Sequence, residues 1–284
     1  MQLDQLWDYN DPAETEARFR ALLPEAENTP AIYAELLTQI ARAQGLQRLF
    51  AAAHQTLDEA YRLLTPEMKR AQARYLLERG RVFNSSGHAD QAKPLFIEAW
   101  ELAQAAGEDV LAVDAAHMIA IVESGHAAVE WNKTAVAYAE ASPNPAARRW
   151  LGSLYNNLGW IYHGMAQYET ALDYFHKALQ FRQTQHDIEA VRIAQWCVAR
   201  TLRSLGRIEE ALAIQQVLLA EHEAAGATDA YVFEELGECL LALNRPEEAR
   251  DYFAQAYPIL AADPWFQANE AERLRRIRQL GESA

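Results

Sequence analysis

The stretch YNNLGWIYHGMAQYETALDYFHKA, residues 155–178, decides how the rest of the chain is read. Tyr155, Leu158, Gly159 and Tyr162 lie three and four residues apart, and so do Ala171, Phe175 and Ala178. That spacing puts each set on one face of a helix. Alanines at 171 and 178 let two helix backbones approach closely, and the aromatic ring between them fills the space toward the next pair.

Working outward, the frame returns. Phe233, Leu236, Gly237 and Leu240 precede Ala249, Phe253 and Ala256, and Gly80, Phe83 and Gly87 go with Ala92, Phe96 and Ala99. Ala53/Leu57/Ala60 is a further copy, while Ala128/Asn132/Ala135 and Ala211/Gln215/Leu218 are weaker ones. The first alanines are 39, 36, 43, 40 and 38 residues apart. A fixed period of this length predicts stacked helix pairs.

Punctuation agrees. Asp11-Pro12, Thr29-Pro30, Thr65-Pro66 and Asp263-Pro264 each set a capping side chain before a proline suited to the first helical position. Gly45, Gly87, Gly107, Gly125, Gly206 and Gly226 are expected to mark stops or tight turns, and Ser142-Pro143-Asn144-Pro145 a loop. About thirteen helical segments lie between these marks, and no stretch alternates as a strand would.

These motifs resemble the tetratricopeptide-repeat family over roughly residues 33–260. The period is nearer forty than about 34, so the likeness is to a long-repeat form. The copies near 109–141 and 193–219 are degenerate, with an open register. The resemblance implies an all-α protein: a right-handed superhelical solenoid of antiparallel helix pairs, about six repeats with capping helices. Residues 1–32 are expected to supply N-terminal capping helices, 33–262 the repeats and 263–284 a C-terminal capping helix. Phe266, Leu274, Ile277 and Leu280 form an apolar stripe in that last segment; Arg275, Arg276 and Arg278 fall on other faces and Arg273 intrudes on the stripe. Leu3, Leu6, Trp7, Phe19, Leu22 and Leu23 are expected to close the other end.

The chain has 284 residues and a net charge of −14, which argues against nucleic acid as a partner, since phosphate contacts need a basic footprint. The charge is uneven: Lys and Arg exceed Asp and Glu by three over residues 146–206, whereas 207–284 stands at −8. Cys197 and Cys239 have no neighbouring thiol or histidine in sequence, so they read as structural thiols in a reducing compartment. No basic, apolar leader begins the chain and no apolar run spans a bilayer. A cytoplasmic protein without membrane contact is expected. No phosphate loop, nucleophile elbow or zinc-binding helix motif occurs, and the eight histidines are dispersed. Neither cofactor nor metal nor catalysis is expected.

In the family it resembles, first helices of each pair line the groove through positions two, five, nine, twelve and thirteen, counting the glycine of Leu-Gly as eight. Carried over, position nine gives Arg81, Trp160, Arg200 and Glu238, with His117 in an uncertain frame. Position five gives Leu77, Asn156, Trp196 and Glu234; position twelve gives Asn84, His163, Arg203 and Leu241; position two adds Arg74, Ser153 and Tyr231. The candidate peptide-binding groove is Arg81, Asn84, Asn156, Trp160, His163, Trp196, Arg200 and Arg203. Arginine offers bidentate donors to carboxylates, and Trp and Arg are frequent interface anchors. A second reading has the tryptophans packed between repeats and the arginines paired with neighbours such as Glu189 and Glu238. The expected function is a protein- or peptide-interaction module, a scaffold or a bacterial-type regulator, whose groove holds an acidic segment. The alternative is a self-associating homo-oligomer whose groove binds another copy or its own terminus.

Overall fold

The computed structural model describes residues 3–282. A 3-10 turn, Leu3–Leu6, precedes α1 (Pro12–Ala26). Three helix pairs follow: α2 (Pro30–Leu46) with α3 (Phe50–Leu63), α4 (Lys69–Ser85) with α5 (Ala89–Ala105), and α6 (Asp109–Val122) with α7 (Gly125–Ala141). A single turn, α8 (Pro145–Arg148), leads to α9 (Leu151–Gly164), paired with α10 (Tyr168–Gln183). Then come α11 (Ile188–Ser204) with α12 (Ile208–Ala224), α13 (Ala230–Ala242) with α14 (Pro246–Ala261), and finally α15 (Pro264–Asn269) and α16 (Ala271–Glu282). The described residues contain no strand. The fold is a tetratricopeptide-like solenoid of six helix pairs. The chain divides into two compact units, the first ending at Leu154 and the second beginning at Tyr155, within α9.

Two of the expected caps bond as anticipated, whereas Thr29 precedes α2 without a side-chain bond. The Asp11 carboxylate accepts the Glu14 N–H at 2.9 Å, and Asp263 accepts the Trp265 N–H at 2.8 Å. Two expected boundaries move. Pro66 opens a turn rather than a helix, because the Met68 N–H closes back on the Thr65 carbonyl at 3.0 Å, and α4 begins at Lys69. Gly45 does not stop its helix either: α2 runs on to Leu46, and Arg48 adopts the left-handed turn, φ 62°, while the Leu49 N–H bonds the Gln44 carbonyl at 2.9 Å.

Packing explains the repeat. The small, large and small residues of α3, α5, α7, α10, α12 and α14 are all buried, including Asn132 and Gln215 in the degenerate copies. Those two amides occupy the places that Phe96, Phe175 and Phe253 hold elsewhere, which sets the register of the copies near 109–141 and 193–219. Each phenylalanine meets the helix-borne glycine sixteen residues earlier. A Cβ on Gly80 would lie 2.4 Å from Phe96, one on Gly159 2.5 Å from Phe175 and one on Gly237 2.7 Å from Phe253. In the intervening pairs the same two places hold Ala41 and Leu57, Ala116 and Asn132, Ala199 and Gln215. A glycine therefore accompanies every ring, and an alanine every smaller side chain. Close packing at the native density leaves no room for both methyl and ring.

At the N-terminal end, Leu3 and Phe19 are buried against Leu36, Leu37 and Ile40, with Trp7 packed beside them and its indole N–H donating to Gln39 at 2.9 Å. At the other end, Phe266 and Ile277 join the core of the second unit while Trp265 is exposed. Arg273 does interrupt the apolar stripe of α16, and it has partners there: its guanidinium lies over the Phe266 and Tyr231 rings and donates twice to Glu234, at 2.7 and 2.6 Å. Arg276 is likewise not merely solvated, since it pairs with Glu238.

Candidate functional site: the first helices of the pairs

One contact recurs between consecutive first helices, joining position nine of one to position six of the next. In the first unit, Arg42 on α2 approaches Glu78 Oε1 on α4 at 3.5 Å. Arg81 donates to the same oxygen at 2.7 Å and pairs onward with Asp114 on α6. The Glu78 side chain is 1% exposed and its Oε2 has no hydrogen-bond partner. Burial pushes Asp114 up, but Arg81 and Arg42 outweigh it and hold the carboxyl below its usual range. Burial opposes charge on Arg81, yet Asp114 and Glu78 hold its guanidinium protonated. Position nine of α6 is His117, which packs on the Trp150 ring at 5.5 Å; burial is the main cause of its lowered pKa.

The second unit fills the same positions differently. Trp160, at position nine of α9, stacks its edge on Phe175 at 5.1 Å, on His163 at 5.2 Å and on Trp196 of α11 at 6.0 Å. Trp196 continues to Tyr231 of α13 at 6.0 Å and donates its indole N–H to the Tyr231 carbonyl at 3.1 Å. Both tryptophans are half-buried and pack against the core of the second unit. Asn156 accepts from the Cys197 thiol at 3.5 Å. Burial pushes that thiol, and that of Cys239, up to about 12, which makes both poor nucleophiles.

One turn beyond Trp196, Arg200 Nη1 and His163 Nε2 meet at the Ser204 hydroxyl, at 2.8 and 3.0 Å. Arg200 Nε also reaches Glu235 at 3.0 Å, and Arg203 clasps the same carboxylate with two bonds of 2.7 and 2.9 Å. Glu238 lies 3.9 Å from Arg203 and is held chiefly by Arg276. Arg203, Arg273 and Arg276 are all held above the ordinary arginine pKa once their carboxylate partners are set against burial. Arg200 moves down: burial and the nearby Arg203 and Arg273 outweigh Glu235. Its one close carboxylate is shared with Arg203, and its side chain is 28% exposed. Burial, with Arg200 and Arg203 nearby, lowers the pKa of His163.

Asn156, Trp160, His163, Trp196, Arg200 and Arg203 are therefore brought together in one unit. Arg81 and Asn84 belong to the other, where Arg81 serves the buried ladder. The acidic members of these pairs, Glu78, Asp114 and Glu235, are absent from the sequence-derived groove positions. Their signal was an acidic residue three before position nine, at the inner edge of the groove. Arg203 pairs chiefly with Glu235, through two bonds, and reaches the anticipated Glu238 only at 3.9 Å, because Glu235 sits one turn earlier on α13. Beside Trp196, the exposed side chains of Ile193 and Tyr231 border a cavity of about 350 Å3 floored by Val232. Among the described residues no group of three His, Cys, Asp or Glu is placed to hold a metal ion, and no helix is long and apolar enough to cross a membrane.

Comparison with known proteins agrees with this architecture. Residues 153–185, α9 with α10, match the model of the tetratricopeptide repeat. No curated protein matches the chain in sequence. In structure it is similar to a signal-transduction ATPase with a tetratricopeptide-repeat sensor from Pyrococcus horikoshii, with TM-score 0.71 and 14% identity over 90% of this chain. The chain spans 41% of that ATPase's length. It is also similar to the apo form of RapI, with TM-score 0.69 and 11% identity over 93% of this chain and 78% of that one. NprR, solved in complex with its cognate peptide NprX, aligns with TM-score 0.59 and 17% identity over 96% of this chain and 82% of that one. At such identities the likeness is one of fold.

Proposed function

We propose that this chain is a protein- or peptide-binding module, a scaffold or regulator rather than an enzyme, and that its second unit holds a segment bearing a carboxylate. The observation that carries this reading is the shelf made by Trp160, Trp196, His163 and Arg200. It sets half-buried aromatic rings beside a partly exposed guanidinium that shares its one close carboxylate, Glu235, with Arg203. Aromatic rings supply contact area at low ordering cost, and a partner carboxylate arriving at Arg200 strengthens a charge-assisted bond already organised by Ser204. NprR, similar in fold, is a precedent for a bound peptide. A reducing cytoplasmic setting accords with two buried thiols. Each arginine of α16 has a carboxylate partner, Arg273 with Glu234, Arg275 with Glu272, Arg276 with Glu238 and Arg278 with Glu282, which weighs against nucleic acid as the partner.

The test is capture of partners from lysate by the intact chain and by Arg200→Gln. Arg203→Glu is avoided, because it would set a second carboxylate against Glu235. Loss of the captured species from the variant, with helical content unchanged by circular dichroism, is expected; identical capture by both refutes the reading. One observation favours self-recognition as a second reading. Arg273 and Arg276 of α16 already occupy Glu234 and Glu238, which are positions five and nine of α13. Light scattering across a concentration range distinguishes it, since a self-associating chain gains mass without an added partner.

A further inference from the structure

The cavity at the start of α11 and the Arg200 shelf lie on the same face of one helix, because Ile193, Trp196 and Arg200 follow each other at three- and four-residue steps. Seven residues of helix separate the centres of the two sites by about 10 Å, which about three residues of extended chain bridge. The two ends differ in charge. Around the cavity, Arg192 is taken up by Glu189 at 2.7 Å and Glu221 at 3.3 Å, and Asp229 stands at the rim 3.9 Å from His222. Two carboxylates therefore share one arginine there, with Glu189 mostly exposed, while Asp229 also caps α13 by accepting the Tyr231 N–H at 2.8 Å. At the other end the charge balance is reversed, with Arg200 and Arg203 sharing Glu235. The cavity, at about 350 Å3, sits at the small end of ligand-pocket sizes and suits one bulky side chain.

We infer that the groove takes an extended peptide with a large apolar side chain seated against Ile193, Trp196 and Tyr231. Its carboxylate, about three residues away, lies on Arg200, and a basic residue on the opposite side of the apolar one meets the Glu189–Asp229 rim. This narrows the ligand of the groove proposed above and rests on that reading. Complementary charges at both ends fix the direction in which the segment lies, and the apolar side chain supplies the anchor.

The experiment is selection of random short peptides displayed on phage against the full chain, followed by affinity measurement of the recovered peptides on variants. Recovered peptides should share an apolar side chain with Asp or Glu three residues away and Lys or Arg on the other side. Ile193→Asp and Arg200→Gln should each weaken binding about tenfold. Ile193 is 53% exposed, so the first change leaves the core intact, and Ile188→Asp, on the same helix but outside the cavity, should leave affinity unchanged. Peptides that lack the spaced pair, or bind Ile193→Asp normally while losing Arg200→Gln, overturn the two-site inference and leave the groove reading intact. Recovery of no peptide, or of peptides indifferent to both variants, overturns both.

Discussion

The two units stack their helix pairs by the same rule and line their first helices by different ones. In the first, position nine carries Arg42 and Arg81, and position six of the following helix carries Glu78 and Asp114, so each guanidinium is neutralised by a buried neighbour. In the second, position nine carries Trp160 and then Arg200, and one carboxylate, Glu235, serves two arginines. The same repeat thus carries buried arginine–carboxylate pairs in one unit and a half-buried aromatic row beside a shared carboxylate in the other. Side chains at a handful of first-helix positions, rather than the solenoid itself, set that difference.

The comparison breaks most readily at the ladder. Asp114→Ala leaves Arg42 and Arg81 to share Glu78 in a buried setting, and should cost about 3–5 kcal/mol in chemical denaturation. Glu235→Gln in the second unit should cost less, about 2 kcal/mol, because Arg200 and Arg203 remain partly open to water. It should also raise affinity for carboxylate-bearing peptides, which titration would show directly.

Next in size are the glycines facing phenylalanines. Gly159→Ala and Gly80→Ala should each cost about 1–3 kcal/mol, since the new methyl overlaps Phe175 or Phe96. Gly164→Ala, with nothing within 4 Å of the added Cβ, should be neutral or slightly stabilising. Phe175→Leu combined with Gly159→Ala should recover part of the loss. Equal costs in both units would support one stacking rule; a cost in one alone would break it.

A smaller effect of opposite sign is expected at Gln215, whose amide is wholly buried with neither Oε1 nor Nε2 bonded. Gln215→Leu should stabilise the chain by about 1 kcal/mol, read as a raised denaturation midpoint. Phenylalanine there should succeed only with Ala199→Gly beside it.

The smallest effect is on pH. His117 and His163 have folded pKa values lowered from 6.5, chiefly by burial. Below 6.5 the unfolded chain binds the proton more readily, so the stability they contribute is full above that value and is lost as pH falls through the lowered folded values. His117→Asn and His163→Asn should each flatten the acid limb of a stability profile. An acid limb unmoved by either variant would mean that carboxylates alone set it.

Much of this was open to view in the linear chain. Gly159 and Phe175 stand sixteen apart in a frame that repeats, and the period of a packed helix pair is imposed by helix geometry and by the volume of a ring against a backbone. The helical faces that carry Trp160, Trp196, Arg200 and Arg203 were legible for the same reason, since spacing fixes a helical face. The register near Asn132 and Gln215 was less so, because a buried amide in an apolar place has no pattern of its own.

Partnership was decided in three dimensions. Whether Arg81, Arg203 and Arg276 would face a ligand or a neighbouring carboxylate depended on residues 33, 32 and 38 positions away, Asp114 and Glu235 on the following first helix and Glu238 on a preceding one. Helical periodicity assigns a side chain to a face, but it carries no information about which charge on the following helix lies within reach. That distance is set by how two helices pack, so the chain alone specified the solenoid and its inner faces. Only the packed structure distinguished Arg81, committed to a buried pair, from Arg200, which shares Glu235 with Arg203 and stays partly exposed.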